Sequence, residues 1–303
     1  HVAGPDAKEA CGTDQLCAGL ESGVEGGIHA IQQLWDTHRM EEEWGFLLID
    51  ARNAFNEQNR TSMLWSVCHE WPSGAWFAFN CYRHWSILVI RCNNGTGVFL
   101  HSQEGVTQGD PLAMFAYGIG VLPLIRQLKL EFPAVEQFWY ADDAGAGGAF
   151  AAIHHHFVRL HEIGARFGYF PEPSKSILVV PQHSLESAQI AFADLAFQVT
   201  TSHHNLGGFV GELPPLSDWL QDKLDHWATA VNALASVAPA YPQAAYTGLQ
   251  KSLQQEWQFV QRVMRDIGPQ FTDVAAAISQ KFLPALFGAS LEDTDPHCAL
   301  AGL

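Results

Sequence analysis

Two adjacent carboxylates, Asp142 and Asp143, follow the short aromatic run Trp139-Tyr140-Ala141, and a glycine-rich segment, Ala144 to Gly148, comes after them. Side-by-side carboxylates repel each other, so holding both ionised is costly. A hard divalent cation offsets that cost, because Mg²⁺ prefers oxygen ligands. Two carboxylates make only part of such a site. Asp50 supplies a third, at the end of Phe46-Leu47-Leu48-Ile49. That run is continuously apolar, as expected of a strand buried on both faces. If this strand and those flanking the acidic pair are neighbours in one sheet, the three carboxylates converge at one edge. Together with substrate phosphates they can hold two Mg²⁺ ions, with Mn²⁺ as a substitute, the arrangement for in-line phosphoryl or nucleotidyl transfer.

The surrounding pattern predicts the elements that position these residues. Gly19 to Trp35 reads as a helix, with Ile28, Ile31, Leu34 and Trp35 on one face. The acidic run Glu41-Glu42-Glu43 reads as a solvated loop or helix end. Arg60 to Glu70 is a second helix. Ser86 to Arg91 and Gly97 to Ser102 are β-rich, and the Asn94-Gly95 turn signal between them predicts a hairpin. Gln108-Gly109-Asp110-Pro111 opens a long apolar helix, with Asp110 suited to the N-cap and Pro111 to the first helical position. Gln137 to Ala141 and the glycine-rich run form a second hairpin, with the acidic pair at its turn. His155 to Phe167 is helical and Ser176 to Val180 a strand. From about Leu213 the pattern is mainly helical, in Asp218 to Leu234, Tyr246 to Ile267 and Thr272 to Phe282. Pro214 and Pro215 mark a lobe junction, and the last dozen residues read as frayed.

A chain of 303 residues with 48% hydrophobic content can bury a substantial core in one large domain or two lobes. No apolar run reaches the roughly 18 to 20 residues of a spanning helix, so no membrane partner is expected. The six cysteines include no CxxC pair and read as reduced intracellular thiols, nuclear or cytoplasmic. Cys11 and Cys17 alone are a weak zinc signal. The chain begins at His1 and reads as a piece of a longer product. Its net charge of −16 argues against a generic nucleic-acid binder. The runs His154-His155-His156 and His203-His204 read as surface, since consecutive helical residues point to different faces. Trp35, Trp65 and Trp139 sit in apolar patterns and read as core.

Several pieces occur in one order: Phe46 to Asp50 continuing through Ala51-Arg52-Asn53-Ala54-Phe55; Gly105-Val106-Thr107-Gln108-Gly109-Asp110-Pro111-Leu112; Tyr140-Ala141-Asp142-Asp143; Gly168 through Lys175; and Asn205-Leu206-Gly207-Gly208. Across roughly Gly19 to Gly211 the chain resembles the palm of a reverse transcriptase, of the non-LTR retrotransposon type. The resemblance implies an α+β fold: a polymerase palm, with a small antiparallel sheet packed on helices, partial fingers and a C-terminal helical thumb-like lobe. The corresponding regions are 1–45 for partial fingers, 46–211 for the palm with an embedded fingers hairpin, and 212–303 for the thumb-like part. It implies an RNA-directed DNA polymerase using two Mg²⁺ ions, with an RNA template, a DNA primer and dNTPs as partners, and upstream retroelement segments outside this chain.

By motif position, the resemblance makes Asp50, Asp142 and Asp143 metal ligands. Phe55 becomes the bulky side chain under the incoming sugar, where an aromatic ring excludes a 2′-hydroxyl. Ala51, Gln108 and Gly109 line the nucleotide pocket. Lys175 approaches the triphosphate and acts as general acid toward pyrophosphate. Leu206, Gly207 and Gly208 grip the primer end. Two features depart from the family pattern. Only Lys8 and Arg39 supply basic charge before Asp50, where a longer basic fingers region is usual. From Leu213 onward five basic residues face nine acidic ones, ten with Glu212, where thumbs are usually basic. These departures motivate an alternative, a truncated, non-catalytic or co-opted nucleic-acid-binding protein on the same fold. A palm-type RNA polymerase or nucleotide cyclase is a third reading, opposed by Phe55 and by alanine before Asp142.

Overall fold

The computed structural model describes residues 3–289 apart from Asn94 and Gln108, without the side chains of Ala3 and of residues 213–217. The chain divides into two compact units, 1–205 and 206–303. In the first, α1 (Ala3–Cys11) and α2 (Gly23–His38) precede β1 (Trp44–Ile49). A one-turn α3 (Ala54–Glu57), α4 (Arg60–Glu70) and α5 (Pro72–Tyr82) lead to the hairpin of β2 (Ser86–Arg91) and β3 (Gly97–Ser102). The long α6 (Ala113–Glu131) is followed by β4 (Glu136–Tyr140), β5 (Asp143–Ala149) and α7 (Phe150–Gly164). β6 (Ile177–Val179), α8 (Leu185–Ala191), β7 (Gln198–Thr200) and β8 (Ser202–Asn205) complete it.

The main sheet has the order β4-β5-β1-β6-β7. Its first four strands are antiparallel, while β7 joins β6 in parallel. The parallel pair departs from the all-antiparallel expectation, and α8 supplies the crossover that such a pair needs. Central β1 has Phe46 and Leu47 at 0% exposure, because neighbours cover it on both edges and helices pack on the sheet. Glycines in β5 give Phe46 its room. A Cβ on Gly145 would stand 2.6 Å from the end of the Phe46 ring, and one on Gly147 3.1 Å from its side. The glycine-rich run is therefore a strand overlain by an aromatic ring.

The helix after Asp110 starts at Ala113, later than the capping pattern predicts. Asp110 holds the turn before it, accepting from the Leu112 N–H at 2.9 Å and from the Tyr82 hydroxyl at 2.5 Å. Arg60 is buried and donates to the carbonyls of His84 and Ser102, which anchors the base of the β2–β3 hairpin. Beyond that base the hairpin forms a two-stranded sheet of its own. Ile87, Leu88, Val89, Ile90, Val98, Phe99 and Leu100 are all exposed on it.

Two expectations about side chains are overturned. Trp65 is exposed, its ring tilted against that of His69 one helical turn away. His156 is buried, its ring set edge-on to Phe132. Consecutive helical residues point about 100° apart, and in this triplet the third faces inward. Trp35 and Trp139 are buried as expected.

The second unit opens with Leu206 and contains β9 (Gly208–Gly211) and α9 (Leu213–Val237). α10 (Pro242–Gly248) and α11 (Gln254–Val263) are joined by a π-helical turn, Leu249–Leu253. A second π turn, Ile278–Phe282, joins α12 (Thr272–Ala277) to α13 (Leu283–Phe287). The helices predicted over Tyr246 to Ile267 and Thr272 to Phe282 are thus interrupted or locally widened. Trp227 centres this unit, stacked on Phe271 and donating to Glu256 at 3.0 Å. The frayed C-terminal residues of the sequence reading lie outside the described residues. Among the described residues, no helix is long and apolar enough to cross a membrane.

Candidate active site

The register of the sheet brings the acidic residues together. Ile49 of β1 pairs with Ala144 of β5, so the next step along each strand sets Asp50 beside Asp143. On the other edge of β1, Leu48 pairs with Ile177, which sets Asp50 level with Lys175. The Lys175 Nζ stands 3.8 Å from Asp50 Oδ2 and 3.9 Å from Glu172 Oε2. Hydrogen bonds fix the backbone around Asp50. Its N–H donates to Ser176 Oγ at 3.4 Å, and its carbonyl accepts from the Glu172 N–H at 2.8 Å. Ala51 bridges to Pro171.

The turn bearing Asp142 is held from a distant part of the chain. Ala141 takes a left-handed conformation, φ +55°, which is costly for a residue with a Cβ. Gln15 stabilises it from the loop after α1. Its Oε1 accepts from the Ala141 N–H at 2.7 Å, and its Nε2 donates to the Ala141 carbonyl at 3.0 Å. Leu16 N–H adds a bond to the Trp139 carbonyl. Gln15 is fully buried, and Gly118 of α6 leaves it space, since a Cβ there would approach its Cγ to 2.9 Å. Tyr169 donates to the Asp142 carbonyl at 3.0 Å. Gln15 and Ser176 were given no role from the sequence, and Tyr169 and Glu172 none of their own within the Gly168 through Lys175 piece. A lone glutamine in a loop carries no pattern that would mark it.

The carboxylates perturb each other. Burial, then the charges of Asp142 and Asp143's other neighbour Asp50, push the Asp143 carboxyl up to about 6. Asp143 keeps solvent access, so this rise reflects partial burial together with the like charges of Asp142 and Asp50 rather than full removal from water. Burial also raises Asp142, opposed by a backbone hydrogen bond and reinforced by Asp50. Oxygen donors whose negative charges crowd one another suit a hard cation. A finished shell is not present: among the described residues, no group of three His, Cys, Asp or Glu side chains is arranged to hold a metal ion. The fit to Mg²⁺ therefore lies in donor chemistry and not in a preformed cage.

Phe55 is half-buried and stacks on Tyr117, with centroids 4.5 Å apart. The segment bearing Gly109 is tied beside it, since the Val106 N–H donates to the Phe55 carbonyl at 2.8 Å. Gly109 has φ +94° and open space where a Cβ would stand. Gln108 lies outside the described residues. Leu206, Gly207 and Gly208 belong to the second unit. There Gly207 has φ +82°, and a Cβ on it would meet the Phe259 ring at 2.7 Å. The second unit also contains a cavity of about 820 Å³ whose lining, Trp257 and Leu283 included, carries no charged side chain. It lacks the groups that acid, base or metal chemistry needs.

No protein-family model matches the chain, and no curated protein matches it. Among solved structures, apo telomerase from Candida tropicalis is similar with a TM-score of 0.51 and 9% identity, over 69% of this chain and 38% of that one. The fold is reverse-transcriptase-like. Telomerase from Candida albicans, solved in complex with a TWJ fragment of telomeric RNA, gives a TM-score of 0.48 and 12% identity, over 93% of this chain and 51% of that one. The chain thus spans about half or less of the length of either. The fold assignment rests on the first match, and at this identity a match speaks for fold alone.

Proposed function

We propose that this chain is a template-directed nucleotidyltransferase, an RNA-directed DNA polymerase domain of a retroelement of the non-LTR type. The observation that carries the reading is the sheet register that sets Asp50 between Asp143 and Lys175, with Asp142 adjoining. In this reading Asp50, Asp142 and Asp143 hold divalent cations, which supply activation of a primer 3′-hydroxyl and charge neutralisation at the pyrophosphate. Lys175, already near Asp50, protonates the departing pyrophosphate. Phe55 walls the sugar, and Ala51 and Gly109 let backbone approach the nucleotide. Leu206, Gly207 and Gly208 are assigned to the primer end by motif position. RNA template, DNA primer and dNTPs are the partners this chemistry requires.

The test is primer extension on an RNA template with Mg²⁺ and dNTPs, set against an Asp142→Ala/Asp143→Ala control. Extension by the wild type alone is the expected result, and equal signals would refute catalysis by this chain. A second reading, a non-catalytic or co-opted binding protein on the same fold, is favoured by the net charge of −16, which opposes a polymerase's grip on phosphates. Absence of extension together with weak primer–template binding across a salt series would select it, and a normal, salt-sensitive affinity would count against it.

A further inference from the structure

Tyr117 lies on α6 with 1% of its surface exposed. Its ring packs on Phe55, nearly parallel to it at an interplanar angle of 22°. Its hydroxyl lies in the buried interior without a hydrogen-bond partner. Burial above all, then the charges of Asp142, Cys17 and Asp143, push the phenol's pKa up. A buried hydroxyl with no partner destabilises a fold, and phenylalanine would occupy the same space without that cost. Tyr169 shows the contrast, since its buried hydroxyl does have a partner, the Asp142 carbonyl. An unmet buried donor within the electrostatic influence of two carboxylates, on a ring that packs against Phe55, has a use once a ligand redraws those carboxylates.

We propose that Tyr117 is a positioning residue that couples Phe55 to the Asp142–Asp143 pair, its hydroxyl donating to that pair when a nucleotide fills the pocket, and that it thereby sets the preference for a deoxyribose. The proposal rests on the nucleotidyltransferase reading. In the ligand-free protein the ring is held and the hydroxyl waits. In the bound protein the new hydrogen bond fixes the tilt of Tyr117, and the stacked Phe55 inherits it. Selectivity then depends on two stacked rings instead of one.

The experiment compares wild type, Tyr117→Phe, Phe55→Leu and the double variant. Melting of the ligand-free proteins is recorded, and Mg²⁺·dATP and Mg²⁺·ATP are titrated by calorimetry, with primer extension alongside. Tyr117→Phe should melt higher than wild type and bind dATP about tenfold more weakly, the loss of one charge-assisted hydrogen bond. ATP binding should change little, so the deoxy preference falls. In the Phe55→Leu background the Tyr117→Phe effect on that preference should vanish, the signature of coupled residues. A higher melting point with unchanged dATP affinity, or additive effects of the two changes, would overturn the proposal. A wild type that binds dATP but extends no primer refutes polymerase activity, and the binding ratios still decide the role of Tyr117. A wild type that binds neither nucleotide overturns both.

Discussion

Replacing Gln15 with methionine keeps side-chain length and removes both polar atoms from the bond pair that holds Ala141. Ala141 is itself buried at 3% exposure, so water does not replace the lost partners. An orphaned buried N–H or C=O costs ~1–3 kcal/mol, and two of them set an upper range near 6. Release of the left-handed φ, worth roughly 1–2 kcal/mol in a residue with a Cβ, lets the turn relax and returns part of this. The expected net loss is about 3 kcal/mol, a large share of the ~5–15 kcal/mol that holds a typical domain. Chemical unfolding followed by circular dichroism measures the loss. Hydrogen exchange read by mass spectrometry over residues 136–149 locates it, with protection falling at the turn before the rest of the sheet. Adding Ala141→Gly should recover ~1 kcal/mol, because glycine adopts positive φ without the Cβ clash. Stability within about 0.5 kcal/mol of wild type, the scatter of an ordinary surface change, with unaltered exchange at residues 139–143 would refute the claim that Gln15 holds this turn.

Three further outcomes follow from burial and charge. Burial pushes the His156 imidazole down to about 4, so below about 6.5 the unfolded chain binds a proton that the folded one refuses. Stability should therefore fall by ~3 kcal/mol as pH drops from about 6.5 to 4, and His156→Leu should flatten that slope in unfolding curves. Asp143 behaves oppositely: its raised pKa means that stability declines as pH rises from about 4 to 6. With divalent cations chelated, Asp143→Asn should melt above wild type at pH 7 and lose the advantage at pH 4. Gly145→Val should cost ~1–3 kcal/mol by forcing the Phe46 ring aside, visible as an earlier unfolding midpoint with the transition otherwise unchanged.

Local signals made much of the fold legible in the sequence. The β2–β3 hairpin and α4 match their predicted bounds, because an Asn-Gly turn and a helical pattern announce themselves within a dozen residues. The convergence of Asp50 with Asp143 followed from reading one strand and one turn and assuming that they were neighbours. What the sequence hid depends on distant partners. Gln15 meets Ala141 across 126 positions, and no composition rule marks it. His156 sits in a run of three identical residues, and only the packing of α7 decides which one faces inward. Trp65 followed an apolar pattern yet ended at the surface, because the hydrophobicity of a residue does not say which face of its helix finds a neighbour. The late start of α6 reflects Asp110 spending both oxygens on a turn and on Tyr82, rather than on capping the helix directly.

The exposed hairpin of β2 and β3 has a bearing on how the protein behaves in solution. From Trp71 to Gln103 the sequence contains no aspartate or glutamate, so this apolar ribbon, with Arg91 at the end of β2, lacks the negative charge that keeps the rest of the surface apart from its like. At low ionic strength the −16 of the whole chain supplies a long-range repulsion that protects it. Salt shortens that protection to about 10 Å at 0.1 M, while the unpaired edges of two apolar strands remain ready to join another sheet. The colloidal state of the protein is thereby tied to ionic strength. Added salt should therefore promote association through the ribbon, read by light scattering across a salt series, and unchanged scattering would refute it.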